Sequence, residues 1–320
     1  MVHLRIVVPD DRAEETIEVL CGTDSVLNVI RLDSRSQRPD GVVIMCDVAR
    51  EDASVVISDL KRLGIHNEGS ITLELIDTVI SDRARRAEDH AEGAPADAVV
   101  WEEVEAKTEE QVELSGVFLA FMVLAALIAT VGIYQDSPIL IVGAMVVGPE
   151  FGPIAGFCVA LVQRHRDLAL RSAVALALGF PLAIAATFAA TVIFKATGLA
   201  EAGFDQSEHS IGNVISSPDF FTFFVASCAG AAGMLSLSTA KSGALIGVLI
   251  SVTTIPAAAN IGVTAAYGDW ESFGGSVAQL AINLASILLA GSGVLTFQRV
   301  LYLRRLQRHE RELESGSATP

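Results

Sequence analysis

Ser137-Pro-Ile-Leu-Ile-Val-Gly-Ala-Met-Val-Val-Gly-Pro-Glu-Phe-Gly-Pro153 is a long apolar run in which two Gly-Pro pairs bracket one carboxylate. A second interrupted run follows 105 residues later, Ser242-Gly-Ala-Leu-Ile-Gly-Val-Leu-Ile-Ser-Val-Thr-Thr-Ile-Pro256. In a lipid core every backbone N–H and C=O needs a partner, so a break survives only inside protein or beside a watery cavity. Paired breaks in corresponding places are the sequence mark of a solute site in transporters built from repeats. The reading that decides the fold is therefore a membrane one.

Around these runs lie four more charge-free stretches: Leu114–Gln135, Ser172–Phe194, Phe220–Ala240 and Ser272–Gln298. The first has 22 residues, about 33 Å as a helix, enough to span a bilayer. With the two broken runs, Ser137–Gln163 and Ser242–Gly268, they make six spans. Arg164, Arg166 and Arg171 lie after span two, Lys241 after span four, and Arg299, Arg304, Arg305, Arg308 and Arg311 after span six. The opposite loops hold one cation, Lys195, and the acids Asp136, Glu201, Asp205, Glu208, Asp269 and Glu271. Positive charge stays inside, so both termini are expected in the cytoplasm. Three spans per half force the second half to insert upside down. A shift of 105 places Ser137 on Ser242, Leu140 on Leu245 and Ile141 on Ile246, consistent with an inverted repeat.

Polarity is segregated along the chain. Residues 1–113 hold 12 Lys/Arg against 26 Asp/Glu, while residues 114–320 hold 10 against 12. An acidic water-facing part argues against nucleic acid, which needs a basic face. Met1–Arg12 has too short an apolar run for a signal peptide. Cys21, Cys46, Cys158 and Cys228 are far apart without a Cys-x-x-Cys pair, so neither a disulfide frame nor a zinc site is expected.

Residues 1–79 predict strands at Leu4–Val8, Val26–Leu32, Gly41–Val48 and Ile71–Ile76. Helices are predicted after Asp10 or Asp11, through Ile17 and Leu20, and over Asp52–Leu63, with a left-handed stop at Gly64. A polar turn is expected over Asp33–Asp40. The β-α-β-β-α-β order predicts a ferredoxin-like α+β sandwich. Residues 80–113, with 11 acids against 4 bases, predict a mobile linker over Arg83–Pro95. A juxtamembrane helix follows from an N-cap at Asp97, striped by Val100, Trp101, Val104 and Val112. The domain plan is thus 1–79 sandwich, 80–113 linker and helix, 114–298 six-helix membrane domain and 299–320 cytoplasmic tail. Strand and helix edges left open by one such unit suit pairing as a homodimer.

The motifs Ser137–Met145, Gly148-Pro149, Gly152-Pro153, Cys228-Ala-Gly-Ala-Ala-Gly233, Lys241-Ser-Gly-Ala-Leu-Ile-Gly247 and Ile255-Pro256, followed by Asn283, come in a specific order. Together they resemble the signature of the uncharacterised membrane family called domain of unknown function 389, over residues 110–298. The resemblance implies a bacterial or archaeal inner-membrane protein with a cytoplasmic N-terminal domain, and little chemistry. Glu150 departs from it, standing where apolar residues are expected.

Glu150 is also the sharpest candidate for function. A carboxylate at mid-bilayer costs about 2.5–3.5 kcal/mol even on forgiving scales, and no Lys or Arg lies inside a span to neutralise it. It must be protonated, hydrated, or paired with a cation. Around it Pro149 and Pro153 are expected to break the preceding turns and free carbonyl oxygens, with Gly148 and Gly152 allowing close approach. From the second half, Thr253, Thr254, Pro256 and Asn260 in span five and Gln279 and Asn283 in span six can supply oxygens and donors. Asn260 and Asn283 suit interhelical hydrogen bonds equally well. The six histidines form no His-Glu-x-x-His, and no phosphate loop is present, so an enzyme is not expected and no cofactor is assigned. The expected function is a secondary transporter or channel-like carrier of a small solute or ion, cation or proton coupled. The alternative is a membrane-anchored sensor or scaffold whose cytoplasmic domain binds a ligand or partner.

Overall fold

The computed structural model describes residues 1–76, 78–91, 98–200, 210–239 and 253–316. The chain divides into two compact units. One holds residues up to Val104 together with the end of the chain from Arg304, and the other holds the described residues between Glu105 and Leu303, apart from the end of the helix that closes at Ser238.

The first unit contains β1 (Val2–Val8), α1 (Ala13–Cys21), β2 (Val26–Gln37), β3 (Asp40–Val48), α2 (Ala53–Arg62), α3 (Ile65–Glu68) and β4 (Ser70–Leu75). The four strands form one antiparallel sheet in the order β2-β3-β1-β4, with Val2 opposite Val48 and Val8 opposite Val42. Alternation along β1 sends Leu4 and Ile6 inward against Ile44, Leu20 and Leu60, all fully buried. Gly64 takes φ 73° after α2, the left-handed stop its sequence position predicts. Two local expectations fail. The polar segment expected as a turn continues β2 to Gln37, because Arg35 reaches the carboxylate of Asp10 at 2.8 Å and that of Asp40 at 3.2 Å, so both hairpin arms stay extended. Asp10 is consequently occupied, and α1 begins after Arg12 with no side-chain cap.

Part of the stretch expected as a mobile linker is a helix, α4 (Asp82–His90), because the Ser81 hydroxyl accepts from the N–H groups of Arg83 and Ala84. The proposed cap at Asp97 lies outside the described residues. The acid-rich helix forms as α5 (Trp101–Gln111), and three of its acids find partners within the chain. In the first unit Glu102 pairs with Lys61 at 3.0 Å and Glu103 with Arg50 at 2.9 Å. In the second unit Glu105 meets His165 at 2.8 Å.

The second unit is helical: α6 (Gly116–Tyr134), α7 (Pro138–Val147), α8 (Phe151–Gln163), α9 (Arg166–Thr197), α10 (Ser210–Ser216), α11 (Phe220–Ser238), α12 (Thr254–Tyr267) and α13 (Trp270–Gly316), the last running on into the first unit. Helices α6, α9, α11 and α13 are each long and apolar enough to cross a membrane, and α7 with α8 form a pair bent by 51°. Of the expected fifth span only α12 is described; Lys241–Gly247 and Ser251 lie outside the described residues, as do Glu201, Asp205 and Glu208. The expected C-terminal tail is helical as far as Gly316. Small α10 was not foreseen. Asp136 starts it by accepting from Ile211 N at 2.9 Å and Ser210 Oγ at 2.8 Å. The core joins Phe118, Met122, Ala125, Ala129, Ile255 and Ala257–Ala259, where small residues let α6 and α12 approach closely.

Glu51 stands out in the first unit: it is 6% exposed and both carboxylate oxygens lack a hydrogen-bond partner among the described residues. Burial pushes its carboxyl above the usual range, aided by Glu88 and Asp52. A raised folded-state value means the proton binds more tightly in the folded chain. Its contribution is complete below the unfolded carboxylate range and is lost as pH rises through the folded value. Glu51→Gln should therefore raise the thermal midpoint of the full chain in detergent more at pH 8 than at pH 5. Equal shifts at both pH values count against this account.

Candidate functional site

The broken helix pair is built by three residues. Gly148 ends α7 in an extended conformation (φ −63°, ψ 128°), Pro149 follows, and Glu150 is the N-cap residue of α8. Gly148 is required by crowding: a Cβ there would run into the Glu150 carboxylate and lie 2.7 Å from Ile255 Cγ1. In the second half Thr253 is the N-cap residue of α12. Two half-helices thus begin at one place and α7 ends there. Helix N-termini carry partial positive charge, about half an elementary charge each, and the C-terminal end of α7 carries the opposite sign.

Contacts across the break are buried and polar. Thr254 Oγ1 donates to Glu150 Oε1 at 2.6 Å. Glu150 is 5% exposed, and its Oε2 has no partner among the described residues. One residue away, Thr253 Oγ1 accepts from Asn283 Nδ2 at 2.9 Å and from Gln279 Nε2 at 3.2 Å. Gln279 Oε1 is likewise buried without a partner among the described residues. Among those residues no lysine or arginine is paired with Glu150. Lys195 sits elsewhere, donating to the Ala266 carbonyl at 2.9 Å with its Nζ 4.2 Å from the Tyr267 ring centre.

The structure thus gathers Glu150, Gly148, Pro149, Thr253, Thr254 and Asn283, from three separate sequence segments. It places four candidates differently. Asn260 lies about 9 Å further along α12, where its Nδ2 donates to Ser276 Oγ at 2.8 Å. Gly152 does not face the carboxylate; a Cβ there would lie 2.9 Å from the Gln111 carbonyl oxygen. Pro153 and Pro256 occupy the third position of α8 and α12. Pro153, expected to break the preceding turn and free carbonyls, instead starts a helix as Pro256 does, because the missing N–H falls where no intrahelical acceptor exists. Only Pro149 stands in the break itself.

Ser276 was missed, although the sequence carries its signal. Ser276, Gln279, Asn283 and Ser286 recur at spacings of three, four and three in an apolar span, and all are buried. Such spacing marks one face of a helix. That face pairs with α12 in antiparallel register, Asn283 with Thr253 and Ser276 with Asn260. The small residues of α11 serve packing, since a Cβ on Gly230 would lie 2.7 Å from Ile287 Cα.

Long apolar helices around a break lined by buried polar groups define a membrane-embedded helical protein, joined to a small antiparallel α+β unit. The family model described as Domain of unknown function (DUF389) matches residues 145–289, which supports the DUF389 family and covers the break, α8 to α12 and the polar face of α13. The chain is also 25% identical over 215 residues to an uncharacterized protein of Methanocaldococcus jannaschii. That match covers 63% of this chain and 62% of the relative, so the chain spans under two thirds of its length. No solved structure matches.

The bond between Thr254 and Glu150 is open to a double-mutant cycle. Thr254→Val should cost about 1–2 kcal/mol in denaturant unfolding of the purified chain, since it strands a buried carboxyl oxygen. Most of that cost should vanish in a Glu150→Gln background. Strictly additive effects would show that the two side chains do not interact.

Proposed function

We propose that the chain is a secondary transporter or channel-like carrier of a small solute or ion, with its site where the α7–α8 break meets the start of α12. The observation that carries this reading is the buried Glu150, one oxygen held by Thr254 and the other left open at a junction of helix ends. An acid kept only as a cap would accept from a backbone N–H of the first turn, and Glu150 makes no such bond. Alternate occupation of the open oxygen changes the charge between the two helix N-termini, and that change gives the broken segments a reason to move.

Several features support the larger reading of six spans in an inverted repeat. Both α8 and α12 start at the site with a proline in third position, and a shift of 105 aligns the preceding runs. Arginine clusters after Gln163 and after Gln298 support cytoplasmic termini in an inner (plasma) membrane. The sheet order β2-β3-β1-β4 supports a ferredoxin-like sandwich, whose edge strands β2 and β4 suit homodimer formation.

One observation favours a second reading, a sensor whose sandwich unit binds a ligand. A cavity of about 320 Å³ in that unit is lined by His90, Arg305, Arg308 and His309 beside Asp52, a basic set suited to a small anion. Proteoliposomes separate the readings. A panel of solutes should yield one whose flux depends on pH and is abolished or uncoupled by Glu150→Gln. Unchanged pH-dependent flux in that variant rejects Glu150 as the working group. Absence of flux across the panel, with anion binding lost in Arg305→Ala, selects the sensor.

A further inference from the structure

Donor and acceptor accounting at the break identifies the kind of ion it takes. Each side-chain nitrogen of the cluster, and the Thr254 hydroxyl, has a partner inside it. Thr254 Oγ1 gives its proton to Glu150, and Gln279 and Asn283 each give an amide N–H to Thr253. The partnerless atoms are oxygens, Glu150 Oε2 and Gln279 Oε1, both buried and one residue apart in their attachment to Thr254 and Thr253. The C-terminal end of α7, with its last-turn carbonyls, arrives at the same break. Two buried side-chain oxygens without partners, one of them a carboxylate's, offer lone pairs suited to a hard cation.

Charge sets the valence. Glu150 is the one acid in the cluster, and the remaining oxygens are neutral, so a single positive charge balances it. No group of three or more His, Cys, Asp or Glu side chains able to hold a metal ion occurs among the described residues, which leaves divalent and transition metals without the anionic ligands they need.

We infer that this cluster binds an alkali cation of the sodium class, with Glu150 and Gln279 as ligands and Thr254 and Thr253 as the groups that position them. The inference rests on the carrier reading for its role in transport, but the binding itself does not. The test uses the full chain in detergent, with Na+, K+ or choline as the only added cation at constant ionic strength, and reads saturable thermal stabilisation and radioactive Na+ binding. Na+ should stabilise the native chain over choline. Glu150→Gln should lose the effect, and Thr254→Val should weaken it about tenfold by releasing the carboxylate. Ser286→Ala, on the same face of α13 but bonded to its own helix at the Ile282 carbonyl, should leave it intact. Gln279→Glu adds a second carboxylate and should shift the preference toward Ca2+, a gain that a misfolded variant cannot show. Choline-like behaviour of Na+ and K+, together with pH-dependent solute flux, overturns the inference and leaves a proton-coupled carrier. Na+ binding lost in Glu150→Gln, without flux of any solute, sustains the inference and removes the carrier reading.

Discussion

The hydrogen bond between Thr254 and Glu150 is the contact on which the membrane unit turns. It ties the start of α12 to the start of α8, so two interruptions that would each leave polar groups unpaired are closed against one another. The crowding at Gly148 follows from the same contact, because the carboxylate reaches its partner by folding back over the preceding backbone.

From that closure the polar face of α13 acquires its place. Thr253, beside Thr254, takes two amide donors, and Asn260 reaches Ser276 further along the pair. Each of these side chains would be costly in lipid alone. Together they define a register between α12 and α13 that apolar contacts would leave loose, since aliphatic surfaces slide past one another with little change in energy. Partial satisfaction distinguishes this network from a purely structural one. Glu150 and Gln279 each retain an oxygen without a donor, and buried polar networks kept for rigidity alone tend to be complete.

Much of this was legible in the residues. The Gly148-Pro149 break, the lone carboxylate and the polar positions of the last two spans follow from what a bilayer forbids, and the strand and helix pattern of the sandwich follows from alternation and glycine placement. Proline was harder to read, because its effect depends on where the helix starts: Pro153 and Pro256 look like breakers until the boundary one turn earlier is known. Polar side chains near a terminus were ambiguous for a related reason. Asp10 could cap α1 or hold Arg35, and Asp136 could be a loop charge or the start of α10; distant partners decide both. The partners of three α5 acids were not legible at all, because Arg50, Lys61 and His165 lie far away in sequence and no local pattern announces them.

Helix α8 has a consequence of its own. Phe151 to Gly156, Cys158, Val159 and Ala160 are all buried within the protein, so little of its surface meets hydrocarbon chains. Its neighbours therefore judge a substitution by the volume it fills, and greasiness for its own sake confers no advantage. A conservative swap of Ala155 for leucine should be resented more than a swap of comparable bulk for a hydroxyl, the reverse of the ordering that holds on the outward faces of α9 and α11.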